Sequence, residues 1–243
     1  MTHATPGVPD PDMLDDLVAA NRILVDQGVM QAYGHVSARD LTNPGRYWLS
    51  RSSPPGFVTK EHILEFDLDS RPIRPDPPKL YEERAIHGEI YRARPDVMCV
   101  IHNHCESLIP FCNTDIKLRP MVGNAGFIGH GAPVFDIRDV DQSGDLNICT
   151  PEQGRGLARA LGGAPLCLLR GHGVVVVGAS VREAVRRNII VDTNARLQLQ
   201  AMTIAGDKVK YLTEVELEYA KKKTGKDTDR GWIMWKERAS RKT

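Results

Sequence analysis

Five apolar residues, Val97 to Ile101, follow Pro95-Asp96 and run without a break into His102-Asn103-His104. A continuous apolar run this short, entered from a turn signal, reads as a buried strand. Side chains at i and i+2 of a strand share a face, so His102 and His104 can grip one ion. Spacing alone leaves two readings open, a metal chelate and a pair of hydrogen-bonded surface histidines. The metal reading requires a third ligand. Its candidate is His172 in Arg170-Gly171-His172-Gly173, at the end of another apolar stretch, where flanking glycines permit tight backbone placement. That segment reads equally as a turn carrying a solvated histidine.

Helical and extended patterns alternate along the rest of the chain. From Met13 to Gln27, Leu14, Leu17, Val18 and Leu24 share one face, with Asp10 as cap, Pro11 in the first turn and Gly28 as stop. Extended segments are expected at Tyr47 to Ser50 and Ile63 to Leu68, and a second helix at Lys79 to Ala93. Strands follow at Ala132 to Asp136, Pro165 to Leu169 and Val174 to Val177, with a helix over Pro151 to Leu161 between the first two. A long helix, Val181 to Ala205, begins at the cap Ser180 and ends at Gly206. This alternation predicts one layered α/β or α+β domain at 13–212, with an extended or disordered arm before it, 1–12, and a C-terminal helix and tail after it, 213–243.

A chain of 243 residues can bury a core without disulfides, and five cysteines with no CxxC pair read as free thiols. A net charge of +1 argues against generic attraction to nucleic acid or anionic lipid. No apolar run approaches the roughly 20 residues that cross a bilayer. Met1 to Asp12 lacks the basic start and apolar middle of a secretion signal, so a cytoplasmic location is expected.

Two further segments carry possible chemistry. Glu83 and His87 are four apart on the second predicted helix, which would hold a carboxylate near the metal as proton carrier or extra ligand; a solvated Glu in Glu82-Glu83-Arg84 satisfies the spacing as well. Gly34-His35-Val36-Ser37 reads either as a substrate loop or as a helix-to-strand turn.

Gly34-His35-Val36-Ser37, Glu83-x3-His87, Arg94-Pro95-Asp96, His102-Asn103-His104 and Arg170-Gly171-His172-Gly173 occur in one order, and together they resemble the class II aldolase/adducin family over Leu14 to Ala205. The resemblance implies a three-layer α/β/α sandwich around a mostly antiparallel sheet. It also implies a homotetramer with active sites between subunits, His102, His104 and His172 as metal ligands, and Glu83 as the acid/base carboxylate. With all four positions filled, the non-enzymatic adducin-like interaction module becomes the least favoured reading.

The departures from the family's sugar-phosphate aldolases point elsewhere. His35 replaces the phosphate-binding Asn, Ser50-Arg51-Ser52-Ser53 replaces a Thr-Gly turn, and Tyr81-Glu82 replaces a Ser-Ser pair. Glu82 would repel a phosphate dianion, whereas Arg51 offers a planar fork for a carboxylate. These residues, with Asn194-Ala195-Arg196-Leu197-Gln198, resemble the decarboxylase branch acting on 3-hydroxy-2-methylpyridine-4,5-dicarboxylate or dihydroxyphthalate. The reading is therefore a lyase that decarboxylates a small hydroxy acid of this kind. One divalent ion per subunit, zinc or manganese with iron or cobalt also admissible, would bind the ring hydroxyl oxygen and serve as the electron sink. Glu83 would carry the proton, while His35, Arg51, Ser50 and Ser52 contact the substrate. The alternative is an aldolase acting on a non-phosphorylated hydroxy-ketone. Trp232 and Trp235 read as a flap over an aromatic substrate or as a packing tail, with packing the favoured reading.

Overall fold

The computed structural model describes residues 7–223 and 229–241. Seven strands form one sheet in the order β3-β2-β1-β4-β7-β6-β5. They are β1 (His35–Arg39), β2 (Arg46–Ser50), β3 (Ile63–Asp67), β4 (Cys99–Asn103), β5 (Val134–Phe135), β6 (Leu166–Leu169) and β7 (Gly173–Gly178). Every neighbouring pair is antiparallel except β5 with β6, which is parallel. The helices are α1 (Pro11–Asp26), α2 (Ala85–Ala93), α3 (Ile109–Cys112), α4 (Pro151–Leu161), α5 (Val181–Ala205), α6 (Glu214–Lys223) and α7 (Asp229–Ser240).

Strand alternation sorts the apolar side chains into two cores. Cys99, Ile101, Val174 and Val176 join the core that contains residues of α1 and α5, while Val100, Val175 and Val177 join the core of α2 and α4. The result is the α/β/α sandwich with a mostly antiparallel sheet, as the resemblance implied. Buried apolar area on both faces stabilises it at about 25 cal/mol per Å².

Local signals explain the helix ends. Asp10 accepts from Met13 N at the start of α1, Thr150 and Gln153 form a capping box on α4, and Ser180 accepts from Glu183 N on α5. Gly28 (φ +72°) follows α1, in the left-handed region that favours glycine.

Three expectations need correction. Gly34 to Ser37 is neither loop nor turn beyond its glycine, because His35 starts the interior strand β1, between β2 and β4. The second helix starts at Ala85, not Lys79: Tyr81 is extended and Glu83 is non-helical (φ −82°, ψ 19°) within a short 3-10 turn over Glu82–Arg84. The strand expected over Ala132 to Asp136 shrinks to Val134–Phe135. Among the described residues the tail carries α6 and α7, where one helix was expected; Trp232 of α7 is buried and Trp235 packs against the same core, beside α1. Within the expected N-terminal arm, residues 1–6 lie outside the described residues, and α1 takes up Pro11 and Asp12. Among the described residues no helix is long and apolar enough to cross a membrane.

Candidate metal centre and its cleft

Strand β4 carries His102 toward the α2/α4 side of the sheet, two residues beyond Val100, and His104 follows just past the strand end. His172 comes from the tight turn between β6 and β7, and β7 is the antiparallel neighbour of β4. Two glycines make that approach possible. Gly171 adopts φ +70°, and a Cβ on Gly173 would lie 2.3 Å from the Asn103 carbonyl oxygen.

The three rings converge through one kind of atom. His102 Nε2 lies 3.2 Å from His104 Nε2, which lies 3.0 Å from His172 Nε2. Glu83 adds its carboxylate, with Oε2 3.4 Å from His102 Nε2 and Oε1 3.6 Å from His172 Nε2. One ligand atom from each of the four residues lies within 4.8 Å of every other. A tetrahedral ion with metal–nitrogen bonds of about 2.0 to 2.1 Å has ligand–ligand edges of about 3.3 Å, close to the spacing seen here. His102 Nδ1 lies 3.1 Å from the Val174 carbonyl oxygen, which can only accept. The ring therefore carries its proton on Nδ1 and presents the Nε2 lone pair to the centre, the usual second contact of a ligating histidine. Donor set, spacing and tautomer fit a divalent metal ion.

Burial sets the protonation of these groups. It pushes His172 down to about 4, with His102 adding to the effect, and it lowers His104. Burial pushes the Glu83 carboxyl up, but His102, then His172 and His35, pull it below its ordinary 4.5. Glu83 is thus ionised at neutral pH. Ile148 N donates to its Oε1 at 3.0 Å, which fixes the carboxylate.

The site opens into a cleft of about 610 Å³ whose lining includes Tyr33, His35, Ser52, Lys79, Tyr81 and Glu82, together with Glu83 and His104. His35 and Ser52, two of the four residues proposed from sequence to contact substrate, are among the lining residues. Ser50 instead donates to Tyr81 OH at 3.4 Å, and Arg51 turns its guanidinium to His62 Nε2 at 3.0 Å, outside the lining. Lys79 is the cation at the cleft that spacing arguments overlooked.

Behind the cleft His87 is fully buried and is no metal ligand. Its Nε2 lies 2.6 Å from His35 Nδ1, and its Nδ1 lies 2.6 Å from Ser37 Oγ. Burial pushes His87 down to about 3. On the opposite face of β4, Asn103 turns away from the metal centre toward α5.

The fold and the site define an α/β/α sandwich protein with a cluster of three imidazoles and a carboxylate that could hold a metal ion. The chain belongs to the family described as Class II Aldolase and Adducin N-terminal domain, which it matches over residues 15–199. It is 32% identical over 241 residues to decarboxylase tropJ of Talaromyces stipitatus, covering 90% of each chain. It is 30% identical over 231 residues to 3,4-dihydroxyphthalate decarboxylase of Arthrobacter keyseri, covering 89% of this chain and 86% of that one. The fold is shared with an aldolase II superfamily protein from Pseudomonas syringae, at a TM-score of 0.78 and 19% identity over 96% and 95% of the two chains.

Proposed function

We propose that this protein is a divalent-metal-dependent carbon–carbon lyase that decarboxylates a hydroxylated aromatic or pyridine dicarboxylate. The observation that carries the reading is the convergence of His102, His104, His172 and Glu83 beside an open cleft. The names of the two decarboxylase relatives support the reaction type.

His102, His104 and His172 hold the ion through neutral Nε2 atoms, one ion per chain, and this donor set suits zinc or manganese as well as iron or cobalt. When bound, the ion supplies a Lewis acid that lowers the pKa of a hydroxyl group and stabilises the charge released as the carbon–carbon bond breaks. Glu83, anchored by Ile148 N and ionised at the outset, is the proton carrier: its carboxylate takes the proton of the substrate's ring hydroxyl and returns it to the ring carbon vacated by CO₂. Lys79 and His35 orient the carboxylate that is retained, with Ser52 at the same wall and Arg51 in a supporting position behind it. Glu82 at the cleft disfavours a phosphorylated substrate by charge repulsion. A homotetramer with sites between subunits completes the proposal.

Incubation of the metal-loaded protein with hydroxyphthalate-type and hydroxypyridine dicarboxylates, following CO₂, tests the reading. Release of CO₂ is expected. Release of an aldehyde from a hydroxy-ketone, with none of the acids consumed, would replace the decarboxylase by an aldolase, and the absence of both activities and of bound metal would leave an interaction module.

A further inference from the structure

The buried groups behind His35 form a chain that ends at Tyr91. Tyr91 OH lies 2.8 Å from Ser37 Oγ, Ser37 Oγ lies 2.6 Å from His87 Nδ1, and His87 Nε2 lies 2.6 Å from His35 Nδ1. His35, Ser37 and His87 are all buried, as is Tyr91. Donor counting gives the chain a direction. Among the described residues Ser37 Oγ is the one hydrogen-bond partner of Tyr91 OH, so the phenol, whose proton burial holds firmly, must donate there. Ser37 has a single hydroxyl proton and accepts from Tyr91, so that proton goes to His87 Nδ1. His87 Nδ1 is then an acceptor, and its ring proton lies on Nε2, aimed at His35 Nδ1. His35 in turn must carry its own proton on Nε2. That atom has no partner among the described residues, and His35 lines the cleft.

We propose that Tyr91, Ser37 and His87 act as positioning residues that lock His35 as a neutral Nε2–H donor, so that the cleft accepts a substrate oxygen with a free lone pair there, a carboxylate oxygen above all. The substrate part of this inference rests on the reading of the cleft given above. Reversing the chain would leave Tyr91 with a buried proton and no acceptor, so the tautomer is set by a residue remote from the cleft. His35 is also held in place by its ring contacts with Tyr81 and His102, at centroid distances of 4.6 and 5.1 Å, which leaves the N–H direction as the variable the chain controls. Lys79 supplies charge at the same cleft, whereas His35 supplies direction.

Histidine-selective ¹⁵N labelling of the full chain in zinc-containing buffer, which is diamagnetic whether or not the ion binds, reads the tautomers without any substrate. The expected result is a proton on Nε2 of both His35 and His87, assigned with His35→Asn and His87→Gln. A proton on Nδ1 of either ring overturns the proposal. In turnover assays His87→Leu should raise KM for the acid about 10-fold, the order expected for one hydrogen bond to a charged group, while kcat changes far less. His87→Gln, whose amide nitrogen can still donate to His35 Nδ1, should recover most of that loss. Equal KM values for wild type, Leu and Gln variants would overturn the link to substrate. Ser37→Ala provides the same comparison should the Leu variant not fold. Failure of the decarboxylase reading would appear differently, as wild-type protein that consumes no acid while both tautomers stand as measured.

Discussion

Asn103 donates from Nδ2 to Asn188 Oδ1 across 2.7 Å, which ties the residue between His102 and His104 to the N-terminal third of α5. Asn188 is oriented for this by its own donation to Ala184 O at 2.9 Å, and Asn103 Oδ1 accepts from Cys105 N at 3.1 Å. The turn that carries His104 is therefore held from the face opposite the metal centre. Asn188→Ala should cost about 1 to 3 kcal/mol of stability, because it leaves the buried Asn103 amide unpaired. It should also weaken metal binding about 10-fold or more. Urea unfolding and metal titration report the two effects separately; a stability loss with unchanged metal affinity would confine the pair to packing.

His172 is the one member of the triad that comes from outside β4 and its end. His172→Ala should abolish retention of about one ion per chain through gel filtration, with the fold intact by circular dichroism. Full retention of metal in this variant would remove His172 from the ligand set.

Glu83→Gln should keep the ion and lose turnover by about 10² to 10⁴, the range for removal of a general acid or base. Elemental analysis beside CO₂ release separates the two. Since Glu83 lies near the ligands without leading the set, loss of metal in the same variant would reassign it from proton transfer to coordination.

Acid should destabilise the fold through His87. Its folded-state pKa, about 3, lies below the 6.5 ordinary for histidine, so between those values the unfolded chain binds more protons than the folded one. Stability from this group is complete above about 6.5 and falls as pH drops toward 3. His87→Gln removes the titrating ring, and its unfolding free energy should depend less on pH over that window than that of wild type. Parallel pH profiles would assign the acid sensitivity to other groups.

Lys79 faces the cleft whereas Arg51 is turned to His62. Lys79→Ala should raise KM about 10-fold with little change in kcat, and Arg51→Ala should raise it less. The reverse ranking would place the carboxylate contact at Arg51, as the sequence pattern suggested.

That ranking also marks where sequence reasoning stops. His102-x-His104 is legible because strand periodicity is local, and the apolar runs of β4, β6 and β7 declare themselves for the same reason. Strand β1 does not, although it lies beside β4, because its buried positions include His35, Ser37 and Arg39, whose polar groups are satisfied by the fold instead of by water. The Arg39 guanidinium alone donates to the carbonyls of Val97, Pro44, Tyr91 and Arg94. Glu83 was identifiable by type but not by setting, since the extended Tyr81 breaks a helical pattern that composition would continue. Lys79 and Tyr33 reach the cleft from irregular segments, where no period announces a direction.

The two-residue period of β4 has an evolutionary corollary. One face delivers imidazoles to the cleft and the other delivers a carboxamide to a helix, so inserting or deleting a single residue between Val97 and Ile101 would exchange the two and undo both at once. Descendants of this chain can exchange one apolar side chain for another ahead of His102, but the length of the strand is locked.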